Sequence, residues 1–550
     1  MQCKEAVYAE DVLEYFVGSY LGEDYIRSIY NPDCYFVYNS RQGIIYQQVQ
    51  EVTSEVIQKY GFSAIPNVYG LMSEEALEES GVLRIRRQPY LDLYGQGVLL
   101  GFVDTGIDYT HEAFIAADGT TRIVSIWDQT AQEGEGALHY PYGEVYESGK
   151  IDEALRSDTP LAVVPTQDEI GHGTFLAGVA AGNENRRQQF SGVAPLADIA
   201  VVKCKQAKQT YREYYRIPSD VPAYQENDIL AGVSYLIGVA TRRQQPIIIC
   251  IGMGTNMGNH NGDTNLGQFI GRYLSIPGVA FAICAGNEGN ARHHHRIVSR
   301  EDTINISVEE SLSGFMAQLW WRTPGSLNLD VVSPSGEVFA GIQAISGTRR
   351  QYRFTPEGTT IELFFGVTQQ TREQVVVFRF LSAKQGIWKI RVRLENRLRD
   401  FSIWLPIRQF LEREVVFLEP DPNITVTNPG TTSYALTVSA YDVRDGALFL
   451  QAGRGNTPDG EQKPIITAPG VEIQGTYPRG RYGTMTGTSV STAFAAGIAA
   501  LFMQYYGPEG TNSIEINEIF IRGATPRGEP YPNQEWGYGT VDAYRSITDY

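Results

Sequence analysis

The stretch Val98-Leu99-Leu100-Gly101-Phe102-Val103-Asp104-Thr105-Gly106-Ile107-Asp108 decides how this sequence folds. A continuous apolar run ends abruptly on a carboxylate, Asp104, and a turn follows. Runs of this kind suit strands covered on both faces, as in a parallel sheet. Asp198 to Lys203, Ile247 to Ile251 and Val279 to Ala285 repeat the pattern. Between them, Asn227 or Asp228 caps a helix that turns Ile229, Leu230, Val233, Leu236, Ile237 and Ala240 inward. Strands alternating with helices predict a doubly wound α/β domain. Sites in such sheets lie at the carboxyl ends of strands, where Asp104 and Asn287 both fall.

Two further motifs carry chemistry. Gly171-His172-Gly173-Thr174 precedes a small-residue run (Ala177, Gly178, Ala180, Ala181). Gly487-Thr488-Ser489 opens another, with Ala493, Phe494, Ala496, Gly497, Ile498, Ala500 and Leu501. Both runs read as buried helices, so Ser489 falls where a helix carries partial positive charge. A serine there is ordinarily an N-cap, and a lone histidine is ordinarily structural. Together with Asp104 and the amide of Asn287 they form a nucleophile, a base, an orienter and a donor, the set that acyl transfer needs. His172 is expected to pass protons, Asp104 to orient it, and Asp108 and Asp168 to make local hydrogen bonds.

In chain order these residues run Asp, His, Ser, and the glycine-flanked motifs resemble those of subtilisin-like serine peptidases, the subtilases. The resemblance covers about residues 75–292 and 428–545. It implies Asp104, His172 and Ser489 as triad, and Asn287 as oxyanion donor beside the Ser489 N–H. It further implies that Gly252-Met253-Gly254 and Cys284-Ala285-Gly286 form strands that pair with a peptide substrate and line its specificity pocket. Departures are visible: Ala493-Phe494 follows the serine region, and Phe175 follows Thr174. His111-Glu112-Ala113 lacks the family's calcium-binding Asp, and Asn183-Glu184-Asn185-Arg186-Arg187-Gln188-Gln189 replaces its calcium loop. No metal and no cofactor is therefore expected.

Residues 1–74 resemble the family's α/β propeptide, with strands at Tyr35 to Tyr38 and Gly43 to Tyr46 and a helix over Val49 to Tyr60. Its tail, Ile65 to Met72, is extended enough to lie in a substrate cleft; an ordinary N-terminal subdomain is the alternative. About 200 positions separate Asn287 from Ser489, more than this step of the fold needs. Short alternating segments with turn signals, among them Met316 to Trp321, Leu327 to Val332, Ile361 to Phe365, Val375 to Phe380 and Ile387 to Val392, predict an inserted β-sandwich or jelly-roll over 293–427. Residues 428–550 then complete the α/β domain. This architecture resembles the clostridial spore-germination subtilases (the Csp type). Members of that branch activate a cortex-lytic proenzyme and keep the cleaved propeptide bound; some are silent pseudoproteases.

Composition sets outer bounds. A formal charge of −18 over 550 residues argues against nucleic acid or an anionic membrane as partner, and no apolar run spans a bilayer. No signal peptide is read at Met1-Gln2-Cys3-Lys4, so a cytoplasmic or spore-associated place is expected. The five cysteines have no paired spacing and read as unpaired, with Cys204, Cys250 and Cys284 buried. His293-His294-His295 reads as a solvated hinge rather than a metal cluster. Tyr211 to Tyr224 either shapes specificity or caps a cleft edge. Trp320, Trp321 and Trp388 read as core rather than ligand platforms.

Overall fold

Leu99–Asp104 forms a strand whose residues divide between two cores, Leu100 and Phe102 on one face and Leu99 and Val103 on the other. That division follows from the two-residue repeat of a strand. The computed structural model describes residues 3–548 except 10, 19–22, 31, 33, 40, 49–60, 72–79, 87, 89, 323–325, 369–372 and 395–400. The helix expected over Val49 to Tyr60 lies outside the described residues.

The strand is the middle of an eight-stranded sheet in the order Ile466–Pro469, Leu436–Tyr441, Val279–Cys284, Ile247–Ile251, Leu99–Asp104, Asp198–Lys203, Ile123–Asp128, Glu144–Glu147. All neighbours are parallel except the last pair. Helices His172–Ala181 and Thr488–Tyr506 share the core of one face. Glu226–Arg243 and Asn265–Gly271 cover the other. The first of these starts at Glu226, ahead of the caps expected at Asn227 or Asp228. The two small-residue helices are buried all round, which removes their amphipathic signature. Gly497 permits their neighbourhood to close: a side chain there would meet Val193 Cβ at 2.5 Å and Ala180 O at 2.9 Å.

Residues 294–417 build two antiparallel sheets. One has six strands, centred on Leu312–Arg322 and Glu373–Ala383; the other has five, centred on Leu327–Val332 and Gly386–Leu394. Phe315, Leu319, Phe378, Trp388 and Ile390 from both sheets share one buried core. Trp321 belongs to that core, whereas its neighbour Trp320 faces a second cluster on the opposite side of its sheet.

The N-terminal unit is a three-stranded antiparallel sheet, Val12–Val17, Gly43–Gln48, Cys34–Val37, flanked by helices Cys3–Tyr8 and Glu23–Tyr30. Its sheet is buried on both faces, one in a cluster with the α/β domain and one with Tyr211, Tyr214, Tyr215 and the insertion. The Tyr211 to Tyr224 region therefore packs three parts of the chain together.

Two expectations are corrected. Cys3 and Cys34 form a disulfide that ties the first helix to its sheet. Their separation of 31 residues carries no local spacing signal, and only the tertiary fold brings them together. The unpaired reading holds for Cys204, Cys250 and Cys284 alone. His293, His294 and His295 are buried rather than a solvated hinge. His294 and His295 begin strand His294–Ile297, paired with Phe401–Trp404. An imidazole with both nitrogens bonded packs as a flat aromatic: His294 reaches Ser402 Oγ (3.0 Å) and Asp421 O (3.2 Å), and it stacks on Trp404.

Candidate active site

Asp104 closes the central strand, and His172 opens the helix after Gly171, whose φ of +93° lies in the left-handed region that glycine tolerates. Gly173 allows the two loops to meet, because a side chain there would lie 2.2 Å from Gly106 O. Asp168 holds the turn from below. One carboxylate oxygen accepts the Gly171 N–H, and the other accepts both the N–H and O–H of Thr174. Asp108 accepts from the N–H and O–H of Thr110 and from the Arg479 N–H. Both carboxylates thus make the local bonds expected of them.

His172 Nδ1 lies 2.7 Å from Asp104 Oδ1, and its Nε2 lies 3.0 Å from Ser489 Oγ. The acceptor-only carboxylate puts the proton on Nδ1 and leaves Nε2 to accept from the serine. All three side chains are buried. Gly252 sits over this contact: a side chain there would meet Ser489 Cβ at 3.0 Å and His172 Cε1 at 3.2 Å. Ser489 is the second residue of helix Thr488–Tyr506, so its N–H has no partner in the preceding helical turn. Asn287 is fixed by Thr488, whose N–H and O–H both donate to Oδ1 at 3.1 Å. That contact settles which end of the amide faces Thr488 and turns the NH2 the other way.

Cys284 ends the strand Val279–Cys284. The main chain beyond it is engaged internally. Ala285 N–H donates to Val438 O and its carbonyl accepts from Thr427, while Gly286 N–H donates to Thr488 Oγ1. The edge that meets an extended chain is Met253–Gly254. It pairs antiparallel with Val68–Leu71, which pairs on its other side with Tyr224–Gln225. This second edge carries no motif in the sequence, and only the two-residue length of Tyr224–Gln225 explains why strand periodicity missed it.

Asn183 and Asn185, in the loop 183–189, donate to Ile115 O and Glu112 Oε1 at 2.5 and 2.6 Å. Among the described residues no cluster of three or more His, Cys, Asp or Glu could hold a metal ion, and no helix is long and apolar enough to cross a membrane.

Comparison with known proteins places this geometry. Residues 95–319 and 419–539 match the Subtilase family (Peptidase S8). Serine protease AprX of Bacillus subtilis is 32% identical over 143 residues, 22% of this chain and 32% of that protein. M-protease of Shouchella clausii is 33% identical over 120 residues, 22% of this chain and 28% of that protein. The alignments thus span about a third or less of those curated relatives' own length. Among solved structures, the Clostridium perfringens CspB protease superposes with a TM-score of 0.75 at 29% identity, covering 85% of this chain and 97% of that one. The family match takes in more than half of the sequence, including the segments that carry Asp104, His172, Asn287 and Ser489, and the chain belongs to the subtilase family.

Proposed function

We propose that the protein is a serine endopeptidase that cuts its own chain near residues 69–80, and the observation that carries this is the Asp104–His172–Ser489 relay. In the proposed reaction the Ser489 proton passes to His172 Nε2 as Oγ attacks the scissile carbonyl. Asp104 holds the imidazole tautomer and offsets the charge of the imidazolium. The Asn287 amide and the Ser489 N–H receive the oxyanion. Collapse of the tetrahedral intermediate breaks the C–N bond, and the proton on His172 leaves with the amine. Water then adds to the acyl-enzyme by the same route in reverse. Self-cleavage is supported by Val68–Leu71, which lies as the middle strand between two cleft edges in the manner of an added peptide.

The likeness to the CspB protease supports a place in spore germination, with a cortex-lytic proenzyme as substrate and the cut N-terminal unit retained. Denaturing intact-mass analysis of the wild type beside Ser489→Ala is the test. Two fragments from the wild type and one whole chain from the variant are expected. A normally cut Ser489→Ala chain would exclude self-cleavage in cis. A whole wild-type chain would leave either a silent subtilase-fold sensor or residues 1–72 as a permanent subdomain.

A further inference from the structure

The path of the chain upstream of Val68 is held as closely as the cleft strand itself. Asn67 is tied in both directions to Glu226: its N–H donates to Glu226 Oε2 at 3.2 Å, and its carbonyl accepts the Glu226 N–H at 2.7 Å. Pro66 O accepts from the Tyr215 hydroxyl at 3.1 Å, and Ser63 O accepts from the Asn265 amide at 2.8 Å. Every one of these bonds is to main chain, so they hold any sequence that follows the same path. Glu226 is fully buried, and its other oxygen accepts from the Leu266 N–H at 3.0 Å, which fixes the carboxylate for the task.

One side chain along this path is read as well. Ile65 is buried in a cluster with Tyr215 and Met257 of the α/β domain and Trp320, Phe364 and Val375 of the inserted sandwich. Beside it a cavity of about 50 Å³ is lined by Trp320 and Thr368 of the insertion together with Asn259, Thr264 and Gln268. The insertion therefore supplies one wall of the space that Ile65 borders.

We infer that this groove is an extended substrate subsite: Glu226 and Tyr215 bind the main chain of a substrate upstream of the cleft strand, and a socket built jointly with the inserted sandwich takes an apolar side chain at the position of Ile65. The inference rests on the endopeptidase reading, in which residues 68–71 occupy the cleft as a substrate does. It assigns the insertion a part in choosing substrates. Long peptides and protein segments with Ile, Leu or Met six residues before the position of Leu71 are favoured, and short peptides or a charge at that position are not.

The test is a time course of self-cleavage in the full chain, followed by intact mass, for wild type, Ile65→Met, Ile65→Asp and Glu226→Ala, each checked by thermal unfolding. Burying or exposing one aliphatic side chain changes a rate by about tenfold or more. Ile65→Asp and Glu226→Ala, compared at a temperature well below the melting point of each, are therefore expected to cut at least about tenfold more slowly, and Ile65→Met as fast as wild type. The cut wild type is also given two fluorogenic peptides that reach back to position 65, identical except for Ile or Asp there. The Ile peptide is expected to have about tenfold higher kcat/KM; if the retained N-terminal unit excludes both peptides, the self-cleavage rates decide. A wild type that is cut while all variants are cut equally fast overturns the subsite alone. So do equal rates for the two peptides. A wild type that is never cut overturns the self-cleavage reading beneath it.

Discussion

Two buried histidine–carboxylate pairs in this molecule have the same length, and they differ in what stands at the far side of the imidazole. His172 Nδ1 and Asp104 Oδ1 are 2.7 Å apart, as are His293 Nδ1 and Glu288 Oε2. The difference lies in what else each pair touches. His172 turns its second nitrogen to Ser489 Oγ. Glu288 also accepts from the Asn256 amide at 3.2 Å and the Arg408 N–H at 3.1 Å, which pins the loop after Asn287 to the insertion. A pair of this geometry is a structural tie until a reacting group stands at its open end.

Substitutions that treat the two pairs alike separate their roles. His172→Ala is expected to lower turnover by about 10⁶-fold, as loss of a triad histidine does, with little change in melting temperature. His293→Ala is expected to do the reverse, keeping measurable activity while melting earlier. Equal loss of activity in both would erase the distinction. Glu288→Ala leaves His293 and the Arg408 N–H without their buried acceptor, and a loss of about 3–5 kcal/mol should appear as a shift in the denaturant midpoint. An unshifted midpoint would mean that the second pair ties nothing. Asn287→Leu is expected to cost about 10²–10³ in kcat with KM nearly constant. A change confined to KM would remove Asn287 from the oxyanion site.

The last effect concerns the histidines stacked on Trp404. Burial lowers the pKa of His260 to about 4, and burial likewise lowers that of His294. Both are neutral in the folded protein and take up protons more readily once unfolded. Their contribution is fully present above about pH 6.5, the ordinary histidine value, and is lost as pH falls towards the folded values. Each then costs about 1.4 kcal/mol per pH unit within that window. Melting curves at pH 7 and pH 5 check this, and His260→Gln should flatten the difference. Identical curves for wild type at the two pH values would refute it.

The elements legible in the sequence share a physical cause. Leu99–Asp104 and its parallel neighbours are buried on both faces, so they appear as unbroken apolar runs. The loops of Asp104, His172 and Ser489 approach one another so closely that glycine is required beside them. What escaped the sequence was long-range. Cys3 and Cys34 meet only when a helix packs on its sheet. The three histidines look solvent-loving in a row, yet each is buried on an oxygen partner: His293 on Glu288, His294 on Ser402 and Asp421, and His295 on Glu419 and Asp302. Tyr224–Gln225 is too short to show a period. The Ala285 main chain was expected at a substrate edge, and its bonds to Val438 and Thr427 follow from a loop that no local pattern describes.

The three-stranded arrangement around Val68–Leu71 has a consequence for colloidal behaviour. Met253–Gly254 and Tyr224–Gln225 each present an edge whose main-chain groups are now paired with the same segment. Open sheet edges recruit other chains and seed aggregation. While the segment stays in place it acts as an edge guard, and a chain stored in this form keeps these two edges covered until something displaces it.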